Sequence, residues 1–520
     1  MEHCASVGRD QIIVLHRCRI NRAKNTHRNS CLMADLLKVL KFRSLSKPIV
    51  GFWDIDGEQA YGSLAWDQDR PVLQITFTTE LDDPPETEHV LLQLTKPPLQ
   101  PKTVGKGSEF GCITLQNCCR FKLLTRRDYA SGRTTHDLFM MPTKIWFGSN
   151  EANAAGIRYI TAQDTRLCGF FGSPGMLEHR NYSDKNRAIF NALGNPHSIL
   201  SLHPTEFPTI KVASVGIEFQ ISTSVLASFS ATEGSTLQSA LQIAFTPTVP
   251  TSMEDALSLV SKFEQILTVF SLEHFRFQAI SLHTSNAFNP ITLAWQLGDM
   301  PPPFEPPMRH QVLVDLSDAK TLQKICDDWF DSSPIAELSR WLFCRALEES
   351  DDGIARFVGV AQALEVMGRE LSPQPTMSRN DMARVEKIIR ATLQNEFENE
   401  FIERIVGLIR SSNSKSFRSI LQQLLSRVEE SKRVDLKIDV AAVSKEISDV
   451  RNAIVHMTTS KKGALDQAFR RVNKLSLLTC FWYALIQAVS IDVDIPDIMS
   501  FLFNNRNARH GLPNEILEKH

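Results

Sequence analysis

The chain is predicted to be an α+β protein of more than one domain, with a mostly β N-terminal part and an all-helical bundle after it. Three observations predict this. From Pro48 to Met308 short apolar runs alternate with glycine and proline, the texture of strands and turns. The stretch Met300-Pro301-Pro302-Pro303 through Pro306-Pro307 reads as a stiff connector. Beyond it apolar residues recur every three to four positions, the period of helices. A length of 520 residues suits two or three domains, and 42% hydrophobic with 22% charged residues suits a globular chain with large cores.

In chain order, residues 1–46 form a basic extension rich in Arg, Asn and His, expected to be poorly ordered, with one candidate helix at 33–42. Residues 47–308 form the mostly β region. Its strands are expected at 72–77, 90–94, 111–115, 120–124, 144–147, 158–160 and 217–221. Val90, Leu92 and Leu94 share one face of theirs. Asp56-Gly57 and Ser173-Pro174-Gly175 mark turns. One helix interrupts at 252–270, with Ser252 as its cap and Glu254 in its first turn. Residues 309–350 are connecting helices, 351–495 the bundle and 496–520 a tail. Helices are expected at 318–330, 335–349, 354–370, 381–393, 398–409, 416–430, 440–456 and 464–489. Ser372-Pro373-Gln374-Pro375 and Lys461-Lys462-Gly463 are loops between them, and no internal repeat occurs.

Charge and cysteine usage narrow the function. A net charge of −2 is not that of a chain that coats nucleic acid, so any RNA contact is local. The ten cysteines are scattered, Cys118-Cys119 is a vicinal pair, and no C-x-x-C occurs. They read as reduced thiols of a cytoplasmic protein, with no zinc-finger spacing and no metal. Arg17, Arg19, Arg22, Lys24 and Arg28 are followed by no apolar core of signal-peptide length. The apolar stretch 475–491 carries Ser476, Thr479, Gln487 and Ser490 and is expected to be a buried bundle helix, not a membrane span.

One short segment reads as a chemical site: Arg451-Asn452-Ala453-Ile454-Val455-His456. A guanidinium holds a fixed charge and a planar donor fork suited to phosphate. An imidazole can give or take a proton near neutrality. Val440, Val443, Ile447, Val450 and Ile454 form the buried stripe of this helix. Asn452 and His456 are four apart and share a side, whereas Arg451, five before His456, lies well round the barrel. Two routes could bring the pair together: an unwound helix end, or a second copy across a two-fold axis. Spacing alone leaves a plainer reading open, because cations also suit a helix C-terminus for its dipole. Asn452 argues for a polar role, since mid-helix asparagine costs helix propensity.

Arg451-Asn452-x-x-x-His456 in a C-terminal bundle resembles the arginine–x4–histidine signature of the HEPN ribonucleases. The run from Phe357 through Glu365, FVGVAQALE, resembles the first helix of the ApeA-like HEPN group. Gly51-Phe52-Trp53, Gly62-Ser63-Leu64, Gly111-Cys112-Ile113-Thr114-Leu115 and Ile145-Trp146-Phe147-Gly148 resemble the β domain of ApeA-type phage-defence proteins. The resemblance implies a metal-independent endoribonuclease of abortive infection, with no cofactor, working as a homodimer or larger. It implies RNA as substrate, transfer RNA by analogy, and a sensor role for the β domain toward an unidentified phage-derived trigger. Arg451, Asn452 and His456 would be catalytic, and Lys461, Lys462, Arg470 and Arg471 would contact flanking phosphates. Glu365 matches the helix signature but is expected to partner a nearby Arg or Lys. The alternative is a non-catalytic HEPN-like module that binds RNA or a protein.

Overall fold

The computed structural model describes residues 39, 42–43, 47–55, 58–67, 70–80, 100–107, 111–147, 156–164, 166–171, 175–181, 198–204, 207, 209–230, 234–284, 291–296, 311–348, 353–371, 377–394, 397–412, 415–436, 438–456, 462–495 and 498–505. The expected strand at 90–94, the proline-rich connector, the 372–375 loop and Lys461 lie outside them.

The fold is α+β, with strands in the N-terminal half and helices after them. The strands are β1 (Ile49–Ile55), β2 (Glu58–Asp67), β3 (Arg70–Glu80), β4 (Gln100–Gly107), β5 (Gly111–Asp128), β6 (Arg133–Met141), β7 (Lys144–Phe147) and β8 (Tyr159–Asp164). They continue as β9 (Gly175–Asn181), β10 (Ser198–Pro204), β11 (Thr209–Val212), β12 (Ile217–Ser230), β13 (Gly234–Pro247), β14 (Ala279–His283) and β15 (Ile291–Gln296). Thirteen join one sheet, and β9 pairs with β10 apart from it.

That sheet has two halves. Strands β5-β4-β1-β2-β3-β6 pair in that order, and β6 pairs back onto β5, closing a ring of six. Closure removes free strand edges. The ring encloses its own apolar cluster of Trp53, Leu73, Ile75, Leu115 and Leu138. On β3, Leu73 and Ile75 are buried while Val72 and Gln74 are partly exposed, the period-two pattern of a strand with one face inward. The two strands expected at 111–115 and 120–124 are one 18-residue strand, β5. A register shift between Arg120 and Lys122 bends it, so one part pairs with β4 and β7 and the other with β6. Within the expected extension, Val39 and Phe42 are buried in the ring's core, and Phe42 accepts a hydrogen bond from Trp66 Nε1 at 2.9 Å.

From β7 the sheet continues as β7-β15-β14-β8-β13-β12-β11. Here α1 (Leu167–Phe171) and α2 (Met253–Ser271) join the same apolar core as this half, with Phe263 of α2 edge-on to Phe219 and Phe245. The cap of α2 is Ser252, whose side chain accepts from Asp255 N at 3.1 Å.

The helical part comprises α3 (Ala319–Phe330), α4 (Pro334–Glu348), α5 (Gly353–Leu371), α6 (Arg379–Leu393), α7 (Asn399–Ser412), α8 (Phe417–Ser426), α9 (Glu430–Asp435), α10 (Val440–His456), α11 (Lys462–Ser490) and α12 (Ile498–Asn504). The single helix expected over 416–430 is two. Arg427 N donates to the carbonyls of Leu424 and Leu425, and the buried Val428 turns the chain inward between α8 and α9. The stretch Arg471–Ser490 is long and apolar enough to span a bilayer, yet 72% of it is buried inside the protein. There Phe343 of α4 stacks on Tyr483 at 4.2 Å. One apolar cluster runs from Trp146 in the sheet through α2 and Trp329 to Leu502, so the second sheet half and the bundle share a core.

Candidate active site

Helix α10 carries the expected site. Its start is held by Asp439, whose Oδ1 accepts from Ala441 N at 2.9 Å and Ala442 N at 3.0 Å. Ile447 and Val450 are buried, with Val440, Val443 and Ile454 packed beside them, so the apolar stripe faces inward as its spacing predicts. Ser444 and Ser448 are buried in the same face, and Ser444 Oγ donates to Val440 O at 2.6 Å.

Arg451 follows Val450 at the edge of that stripe. Its Nη2 donates to Glu365 Oε2 on α5 at 3.0 Å. The other carboxylate oxygen of Glu365 accepts from Arg369 Nη2 at 2.6 Å, one turn along α5. The Arg451 guanidinium lies 5.3 Å from the ring centre of Phe417, the first residue of α8. Its Nη1 donates to Asn452 Oδ1 at 3.3 Å. Arg451 and Glu365 side chains are 20% and 19% exposed. A carboxylate between two guanidiniums, with an aromatic ring against one, fixes that fork in orientation while part of it still meets solvent. Of the five N–H donors of Arg451, two are engaged among the described residues.

The remaining expected residues are placed as follows. Asn452 is exposed beside Arg451. His456 is the last residue of α10, and its side chain lies outside the described set. The helix runs unbroken through residue 456, and positions five apart on a helix differ by about 140° around its axis. Lys462 and Arg470 lie on α11 with side chains outside the described set. Arg471 is 61% exposed and sits 3.6 Å from Glu446 of α10, a surface pair that contributes little to stability.

Glu365 partners two arginines, in line with its expected role. The Glu365–Arg369 half was available from their i,i+4 spacing. Phe417 was not anticipated, and nothing local marks an aromatic residue at a helix start as the floor of a site.

Residues 358–485 match the family model described as Apea-like HEPN. The bundle is an Apea-like HEPN domain. The match takes in Glu365, Phe417, Arg451, Asn452 and His456 together, so the clamp and the motif belong to the HEPN domain itself. This family points to a nuclease-type, RNA-related or defence role. No curated protein matches the chain. Among solved structures, apo MrkH of K. pneumonia aligns with 45% of this chain and 88% of its own at 12% identity. Its TM-score is 0.12, too slight a likeness to bear on fold or function.

Proposed function

We propose that this chain is a metal-independent endoribonuclease of anti-phage abortive infection, acting in the cytoplasm on RNA as a homodimer or larger assembly. The observation that carries the reading is Arg451, held by Glu365 against Phe417 inside the HEPN match, with the exposed Asn452 next to it. The 2′-hydroxyl of the substrate attacks the adjacent phosphorus while one His456 takes its proton. The bond from phosphorus to the 5′-oxygen breaks, and a second His456 returns a proton to that oxygen. Each proton transfer is worth about 10²–10⁴-fold. Arg451 offsets the charge that builds on the non-bridging oxygens. Asn452 orients phosphate or imidazole by hydrogen bond, and the cations of α11 hold flanking phosphates. The unbroken α10 supports the two-fold arrangement over an unwound helix end, because positions 451 and 456 of one helix are about 140° apart around its axis.

The test is incubation of total RNA with the purified chain, with and without EDTA. Cleavage that survives chelation and leaves 2′,3′-cyclic phosphate ends is expected. Loss of cleavage under chelation, or 5′-phosphate products, overturns the mechanism. A second reading is a non-catalytic HEPN-like module, favoured by the ion pair that already occupies one face of Arg451. Full RNA cleavage by a folded His456→Ala variant removes the imidazole from the chemistry, whereas no cleavage by the folded wild-type chain leaves that second reading standing.

A further inference from the structure

Helices α4 and α5 run antiparallel along a common seam. Ser339 Oγ donates to Ala363 O at 2.8 Å, and Ser333, just before α4, donates to Glu370 near the end of α5. The outer face of this pair is apolar. On α4, Ile335, Leu338 and Trp341 are 49%, 47% and 53% exposed. Spaced every three residues, they stand on the side opposite the buried Phe343 and Leu347. On α5 the outward side carries Val358, Gln362 and Val366, four residues apart and none of them buried. Single exposed apolar side chains are ordinary, but three large ones within two turns form a patch of the kind that marks an interface. Each of the two helices carries two cations and two anions. Glu337 pairs with Lys262 of α2, Arg345 with Glu348, and Arg369 with Glu365. The face therefore has no net charge to select an acidic partner, a basic partner or an anionic surface.

We propose that this face is the docking surface for a second copy of this chain, arranged about a two-fold axis that runs along the α4–α5 seam. Such an axis lays α4 of each copy on α5 of the other, antiparallel to it and at the same level. Ser339 is level with Ala363, so Leu338 of one copy falls between Gln362 and Val366 of the other. The bulky side chains of α4 then meet the shorter Val358 and Val366, and the contact is made twice. A neutral, apolar face suits a copy of itself, because interfaces between identical chains are more apolar and poorer in charge than the rest of the surface. Trp341, half-exposed in the free chain, has the most apolar area to lose there. Gln362 and Glu365 are three residues apart, about 60° around α5, so the Arg451 clamp stands at the rim of the contact and not beneath it. Assembly is read by mass and not by RNA cleavage, so this docking surface stands or falls apart from the nuclease reading.

The experiment is sedimentation equilibrium of the full chain and its variants. Leu338→Glu sets two carboxylates into the apolar contact and is expected to halve the mass of the assembly. Trp341→Ala is expected to weaken self-association about tenfold or more. Val366→Lys alone should also dissociate the pair. Leu338→Glu and Val366→Lys chains mixed together should regain the wild-type mass, because each glutamate then meets a lysine across the seam. That rescue also shows that both variants are folded. A wild-type chain that stays monomeric, a Leu338→Glu chain of wild-type mass, or two variants that fail to pair when mixed overturns the proposal. Flotation of the wild-type chain, but not of Leu338→Glu, with phosphatidylcholine vesicles would overturn it too, by giving the face to a membrane.

Discussion

Two side chains make the residue scale decisive. Glu365 holds Arg451 through a mostly enclosed ion pair, and the same carboxylate takes Arg369. Glu365→Ala is expected to lower the unfolding free energy by about 1.5–3 kcal/mol in a urea titration, because it strands a half-buried guanidinium. It should also cut RNA cleavage by about 10–100-fold by loosening Arg451. Glu365→Gln keeps an acceptor and should lie between wild type and Ala on both measures. His274 is the second case. Neither ring nitrogen has a hydrogen-bond partner among the described residues. Burial, then the nearby Arg276, Arg166 and Arg345, pushes its pKa from 6.5 down to about 3. The unfolded chain therefore binds this proton first as pH falls, and stability drops progressively between about pH 6.5 and about pH 3. At about pH 5 the penalty is about 2 kcal/mol. His274→Phe removes the titrating group, so its urea midpoint should fall less than that of wild type between neutral pH and about pH 5.

At the scale of elements, α5 is the hinge of the bundle, because α4, α8, α10 and α11 all pack on it. Close approach is possible where glycine stands. A Cβ on Gly359 would sit 2.7 Å from Ala346 Cβ of α4. Gly359→Ala gains about 1 kcal/mol of helix propensity but overpacks a site whose neighbour is a short, inflexible side chain, a cost of about 1–3 kcal/mol. A net loss of stability is expected, read as a lower thermal midpoint. A midpoint at or above wild type would show that α4 can shift without cost. The elements themselves were mostly readable, because their signals are periodic and local: the helix at 440–456 and the strand at 144–147 have the bounds that the pattern predicts. The misreadings share one cause. Merging of 111–115 with 120–124 into β5, and the break between α8 and α9, follow from distant partners: β6 and β7 in one case, the core that receives Val428 in the other.

The whole molecule adds continuity of core. Because one apolar cluster joins the sheet, α2 and the bundle, residues 309–520 produced alone should expose the surface that α2 covers. That fragment is expected to be protease-sensitive and to lack a cooperative thermal transition, where the full chain resists and unfolds sharply. The dimer is tested at the same scale. If the site at the two-fold uses the His456 of both copies, a mixed dimer of wild-type and His456→Ala chains lacks one of the two proton-transfer groups. Excess His456→Ala chain should therefore suppress wild-type cleavage beyond simple dilution, whereas sites built within single chains would keep their activity.

Neighbouring residues carry the signals that mark the helices, the β half and the Arg451–His456 segment, so these could be found from order along the chain. The clamp on Arg451 joins residues 86 positions apart, and Phe417 comes to it from a third helix. The closed ring of six strands likewise brings together distant parts of the chain. Such meetings are decided by how apolar faces pack into shared cores, a property of the folded whole that no local pattern encodes.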